Sequence, residues 1–186
     1  MSKLIYGVGI NDAKYKVRQR NSFCPYYSTW YGMIKRCYSE IALKKKPAYS
    51  GCSVCDEWLT FTNFRNWMIR QDWNGKHLDK DIIEPGNKVY SPDTCCFVTV
   101  AVNNLILTNP KSRGKYAIGV HYDKRRRRYQ ASIKVNGKNT NIGRYTTEAE
   151  AAKAYREAKR ELLLKAAKSQ SDPRVKSALE KRAELI

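Results

Sequence analysis

Apolar side chains recur at three- and four-residue steps from Ser28 to about Leu43, so Trp30, Met33, Ile34, Cys37, Tyr38 and Ile41 would line one face of a helix. Ser28 can cap that helix, and Lys44, Lys45, Lys46 and Pro47 end it. A second, shorter helix fits Phe61 to Gln71, with Phe64, Trp67 and Met68 on one side; the compact segment from Gly51 to Trp58 lies between the two. From His77 the pattern changes. A short strand, His77 to Ile83, runs into a turn-rich loop holding Pro85-Gly86-Asn87 and Ser91-Pro92-Asp93. A strand from Cys95 to Thr99 follows, and then a helix carrying Val100, Val102, Leu105 and Ile106. The order is ββα.

Three strand-like runs come next, Tyr116 to Tyr122, Tyr129 to Val135 and Thr140 to Tyr145. Residues 123–128 join the first pair. Asn136-Gly137-Lys138 joins the second as a hairpin turn, because both central residues tolerate positive φ. Thr147 with Glu150 three residues on reads as a capping box, opening a long helix whose narrow face is Ala151, Ala154, Tyr155 and Ala158. Asp172-Pro173 opens a last short helix. The reading is an α+β protein in five parts: an N-terminal arm over 1–24, a ββα-containing module over 25–108, a linker over 109–114, a sheet-and-helix domain over 115–168, and a helical tail over 169–186. Within the arm, Gly7 and Gly9 interrupt the apolar run and Lys14, Lys16, Arg18 and Arg20 alternate with other residues. It is either a backbone-tracking arm or a frayed terminus.

Charge sharpens this picture. The net charge is +19, and about two thirds of the excess falls within residues 109–168. A localised cationic surface recruits a polyanion by displacing its condensed counterions, which points to nucleic acid. No apolar stretch approaches the ~18–20 residues of a membrane span. The first nine residues are too short and too polar for an export signal, so a cytoplasmic setting with reduced thiols is expected. The six cysteines are then core residues or metal ligands. Cys52 and Cys55 have zinc-ligand spacing, and Cys95-Cys96 with Cys37 or Cys24 would complete a site. Burial of those thiols against Trp58 and Trp30 is the competing account.

The segments Gly119-Val120, Tyr129-Gln130-Ala131-Ser132-Ile133, Asn141-Ile142-Gly143-Arg144-Tyr145 and Thr147 through Tyr155 together resemble the AP2 domain, over about 55 residues. That resemblance implies a three-stranded sheet laid into the DNA major groove with a helix packed behind. The residue types agree, since base edges in a groove about 12 Å wide are read by outward side chains of a ribbon. The expected DNA-binding set is Tyr122, Arg125, Arg126, Arg127, Arg128, Tyr129, Lys134, Lys138, Asn141 and Arg144. Tyr122 and Tyr129 stand where the family often has tryptophan. The run Lys124 to Arg128 is either part of that reading surface or a hairpin tip that meets phosphates alone.

Trp30-x-x-Met33-x-x-Arg36-Cys37, Val54-Cys55-Asp56-Glu57-Trp58 with Phe61 and Phe64, Leu78-Asp79-Lys80-Asp81, Tyr90-Ser91-Pro92-Asp93-Thr94-Cys95 and Asn103 resemble a bacteriophage family of HNH endonucleases. The resemblance implies a site-selective, Mg²⁺- or Mn²⁺-dependent DNA nuclease acting in an infected bacterial host. Asp79 and Asn103 would hold the ion; Asp81 would lie beside them. Lys80 stands where the family has its general-base histidine, and Thr94 where it has a strand-holding asparagine. A lysine near its ordinary pKa of about 10.4 is protonated at neutral pH, and Asp79 and Asp81 would raise it further. Two further readings of the acidic residues stand beside this one: Asp79, Asp81, Glu84 and Asp93 as oxygen ligands for Mg²⁺, or the same carboxylates paired with nearby lysines and arginines. The alternative for the whole chain is a DNA-binding regulator that descends from such a nuclease and does not cut.

Overall fold

The computed structural model describes residues 4–19, 22–107, 114–135 and 137–186. The chain divides into two compact units, Met1–Val98 and Thr99–Ile186. It is mixed α+β.

In the first unit, Ile5 and Gly9 exchange both backbone hydrogen bonds across a turn in which Tyr6 and Gly7 take φ values of 50° and 80°. Ile10 is then tied into the fold: its N–H donates to the Leu59 carbonyl and its carbonyl accepts from Phe61 N. Strand β1 (Arg18–Gln19) pairs antiparallel with β2 (Ser22–Phe23). Helix α1 (Pro25–Tyr38) follows, started by Pro25 instead of by a Ser28 cap, because proline's fixed φ suits the first turn. The expected helix to Leu43 is broken. Ser39 leaves helical geometry at ψ 114° and its side chain caps α2 (Glu40–Lys45) by accepting from Ala42 N. Ile41 consequently falls off the apolar stripe and is 70% exposed.

Strand β3 (Ser53–Val54) pairs parallel with β5 (Val89–Tyr90), and β4 (His77–Asp79) pairs antiparallel with β6 (Cys96–Val98). The short helices α3 (Asp56–Leu59) and α4 (Phe61–Met68) connect them. Trp30, Trp58, Phe61 and Phe64 are fully buried at the centre, and Trp30 Nε1 donates to the Trp58 carbonyl at 2.7 Å. Burying each such ring contributes roughly 1.5–3 kcal/mol, which compensates for the shortness of the strands.

The second unit opens with α5 (Val100–Ile106), capped by Thr99 accepting from Val102 N. Over residues 77–106 the order is β4, β5, β6 and then α5, where the predicted loop contains the short strand β5 paired to β3, and α5 belongs to the second unit while the strands belong to the first. Strands β7 (Val120–Asp123), β8 (Arg128–Val135) and β9 (Lys138–Tyr145) form an antiparallel sheet in that order. Strand β7 starts later than expected, because Ala117 to Gly119 make a turn with Gly119 at φ +77°. Helix α6 (Glu148–Lys168) begins with the predicted capping box, and α7 (Pro173–Glu184) opens at the predicted Asp172-Pro173, where the Asp172 side chain caps it by accepting from Arg174 N. Ala151 and Ala152 of α6 are buried, as are Ala131 and Ile133 of β8, so small side chains let helix and sheet approach closely. The Tyr155 ring lies where a Cβ on Gly119 would sit, 2.0 Å from that position. The expected linker 109–114 falls, apart from Gly114, outside the described residues. No described helix is long and apolar enough to cross a membrane.

Candidate nucleic-acid interface

Cross-strand register decides which side chains share a face of the β7–β9 sheet, since directly opposed residues point the same way. Val120, Ala131 and Gly143 form one rank, and Tyr122, Tyr129 and Tyr145 the next. Because Ala131 is fully buried, this is the covered face. The opposite face carries His121 with Gln130 and Arg144, Ser132 with Asn141, and Lys134 with Asn139. Asp123 and Arg128 close its end.

The outer face needs a bulge. Ser132 pairs with Asn141 while Ala131 pairs with Gly143, so Ile142 is an extra residue in β9. Were Ile142 paired in regular register, Asn141 and Arg144, an odd number of positions apart, would point to opposite faces; a bulge re-aims a side chain in this way. Arg128, Lys134, Asn141 and Arg144 of the predicted set are thereby exposed together on this face, whereas Lys138, exposed but paired with Val135, belongs to the side of Ala131 and Ile133. Among the described residues no carboxylate pairs with Arg128, Lys134, Lys138 or Arg144.

Tyr122 and Tyr129 are a correction. They lie on the covered face, packed 4.9 Å apart between ring centroids, with Tyr116 at 6.4 and 5.6 Å from them. Alternation is the cause: Tyr129 and Lys134 are separated by five residues on a regular strand, so they cannot share a side. Stepping back by twos from Lys134 instead gives Ser132 and Gln130, and register adds His121 and Asn139. These four were missed, although the two-residue step was legible.

The tip between β7 and β8 is organised by Asp123. One of its carboxylate oxygens accepts from Arg125 N (3.0 Å) and Arg126 N (3.1 Å), and the other pairs with the Arg126 guanidinium at 3.1 Å. These hydrogen bonds hold the Asp123 pKa below its ordinary value. Arg126 is thus partly neutralised, while Lys124, Arg125 and Arg127 stand exposed, Arg127 at φ 50°.

The other predicted site is built differently from expectation. Lys80 is only 6% exposed, and its ammonium donates to the Asn87 carbonyl (2.7 Å) and to Asp81 (3.0 Å) and lies 5.9 Å from the Tyr90 ring centre. It is engaged by the loop and not presented to a reacting water. The Asn87 side chain donates to Lys80 O (2.6 Å) and Val89 O (2.7 Å), so Asn87 does the strand-holding that was assigned to the Thr94 position. Thr94 Oγ1 itself donates to Val89 O at 2.8 Å. Asp79 Oδ1 accepts from Asp81 N and Ile82 N, and burial together with the neighbouring Asp81 charge raises the Asp79 pKa. One Asp79 oxygen is thus taken by two amides, and Asp81 is held by the Lys80 ammonium. Asn103 belongs to the second unit, on α5. Among the described residues no three His, Cys, Asp or Glu side chains gather as a group that could hold a metal ion. Burial pushes the Cys37 and Cys95 thiols up to about 12, leaving them protonated.

Compared with protein-family models, with curated proteins and with solved structures, the chain matches none. The two resemblances rest on the motif residues themselves.

Proposed function

We propose that the protein binds duplex DNA through the outer face of the β7–β9 sheet and does not cut it. The observation that carries this reading is the composition of that face. His121, Gln130, Ser132, Asn139, Asn141 and Arg144 are flanked by Arg128 and Lys134, and the one carboxylate, Asp123, is spent on the tip. Three strands about 4.8 Å apart span roughly 10 Å, which fits a major groove about 12 Å wide. Amide and guanidinium groups are the side chains that bond base edges in pairs: Arg to guanine, Asn or Gln to adenine. The surrounding cations meet phosphates and set position without reading sequence. This is the AP2-type mode that the motifs imply, carried by Arg128, Lys134, Asn141 and Arg144 of the expected set, with His121, Gln130, Ser132 and Asn139 in place of the two tyrosines.

The engagement of Lys80 favours binding without hydrolysis, since its ammonium is held by Asn87 O and Asp81. A general base must reach the proton it abstracts and be unprotonated when it does so. The test uses the full chain in two assays: mobility shift on random duplex pools, and incubation of supercoiled plasmid with Mg²⁺ or Mn²⁺. Selective shifts with intact plasmid are expected. Relaxed or linear product that disappears in Asp79→Ala would establish the nuclease reading instead. Failure to retain any duplex at low ionic strength would end the DNA reading altogether.

A further inference from the structure

The cationic arm before α1 is left unused by the sheet, and it carries features that duplex phosphates do not explain. Tyr15 is 45% exposed and Phe23 50% exposed. Both belong to one short segment: the Tyr15 hydroxyl lies 3.5 Å from Cys24 Sγ, the residue that follows Phe23 in the chain, and Cys24 N donates to Val17 O. Each ring is paired with a guanidinium. Arg18 lies 5.1 Å from the Phe23 ring centre, and Arg65 lies 5.7 Å from that of Tyr15 and 5.6 Å from that of Tyr26. Lys14 and Lys16 are exposed on either side of Tyr15. Among the described residues no carboxylate pairs with any of these four cations. Asp12, the one acidic residue of residues 11–23, accepts instead from Thr62 N.

Half-exposed aromatic rings interleaved with cations that no carboxylate neutralises are what a single strand requires, because its bases offer π-faces for stacking and its phosphates follow the cations. A duplex hides those faces and would use the lysines alone. We infer that Tyr15 and Phe23, with Lys14, Lys16, Arg18 and Arg65, form a stacking site for single-stranded nucleic acid on the first unit. The inference stands independently of the sheet's partner.

The test is fluorescence anisotropy of labelled oligothymidylate and oligouridylate with the full chain at low ionic strength. Tyr15→Ala with Phe23→Ala should weaken binding of the single strand by about 5- to 150-fold per ring, the range for base–aromatic stacking. Tyr15→Trp with Phe23→Trp should restore it. Lys134→Ala with Arg144→Ala should leave it within about twofold while reducing duplex binding. Equal loss with the thymidine and uridine oligomers assigns the site to both DNA and RNA strands; loss with one assigns it to that strand. Single-strand affinity unchanged in the double alanine variant, or duplex competing as well as single strand at this arm, overturns the proposal. Because both rings are surface-exposed, an unaltered melting temperature of the variant excludes misfolding as the cause.

Discussion

Asn141 and Arg144, three residues apart on β9, share a face of the sheet because Ile142 is an extra residue opposite the Ala131–Ser132 step, while their paired partners Ser132 and Gln130 stay two apart on β8. If these two residues read bases, their substitution behaves differently from loss of a neighbouring cation. Arg144→Ala should cost about 1–3 kcal/mol on the preferred duplex and relax selectivity at one position of the site. Lys134→Ala should weaken all duplexes about equally and lower the slope of log affinity against log salt by about one. Selection from a randomised duplex pool, with affinities measured over a salt series, separates the two. The same loss of selectivity in both variants would contradict this division of labour.

The bulge itself offers a sharper version. Deleting Ile142 would leave Asn141 and Arg144 two residues apart, so both would keep the outer face in regular pairing with Ser132 and Gln130. The expected outcome is a folded protein with selectivity and salt slope largely preserved. Circular dichroism together with the pool selection reads both. Loss of selectivity in a folded deletion variant would contradict the assignment of these two side chains by register.

The secondary elements carried by local chemistry were legible in the sequence: the Thr147–Glu150 capping box, the Asp172-Pro173 start and the apolar stripe of α1 all occur where expected. What lay hidden was non-local. The helix break at Ser39 is not signalled by a proline or glycine, and the apolar step continues through it to Ile41. The bulge at Ile142 exists only relative to β8, so no reading of β9 alone reveals which face Asn141 takes. Asn87, in a turn seven residues from Lys80, looked like a turn former; its bonds to Lys80 O and Val89 O depend on loop closure. The AP2-like motif points Tyr122 and Tyr129 outward, whereas two-residue alternation from buried Ala131 turns both inward.

Lys80 and Asn87 form a reciprocal pair, the lysine donating to the asparagine's carbonyl and the asparagine's side chain donating to the lysine's carbonyl. Removing either partner leaves a buried polar group unmet. Asn87→Ala and Lys80→Ala should each lower stability by about 1–3 kcal/mol, seen as a lower urea midpoint at unchanged slope. Duplex affinity of the folded variants should stay within about twofold. A stable Lys80→Ala protein with altered DNA binding would instead place Lys80 in contact with nucleic acid.

The tip has its own pH signature. Asp123 is held below its ordinary pKa of 3.8 by the Arg125 and Arg126 amides and the Arg126 guanidinium. A depressed folded-state pKa contributes stability that is present above the unfolded value and lost as pH falls through the folded one. The tip should therefore keep its conformation down through 3.8 and open only below it. Amide proton shifts of Arg125 and Arg126, followed by NMR during acid titration, should move with a midpoint under 3.8. A midpoint at or above that value would show that the carboxylate does not organise the turn in solution.

Asp79 should behave in the opposite sense. Its folded-state pKa is raised, chiefly by burial and then by the Asp81 charge. The native state therefore binds the proton more tightly than the unfolded chain, so this residue's contribution is fullest below 3.8 and is lost as pH rises through the folded value. Asp79→Asn keeps an oxygen that can accept from Asp81 N and Ile82 N but removes the buried charge. It should raise the melting temperature at neutral pH and leave it unchanged in acid, flattening the profile between the two. If Asp79 instead holds a divalent cation in the working protein, added Mg²⁺ or Mn²⁺ would raise the melting temperature of the wild type and not of Asp79→Asn. Calorimetry with and without metal across that pH range therefore decides whether this carboxylate is a strained piece of the loop or a ligand.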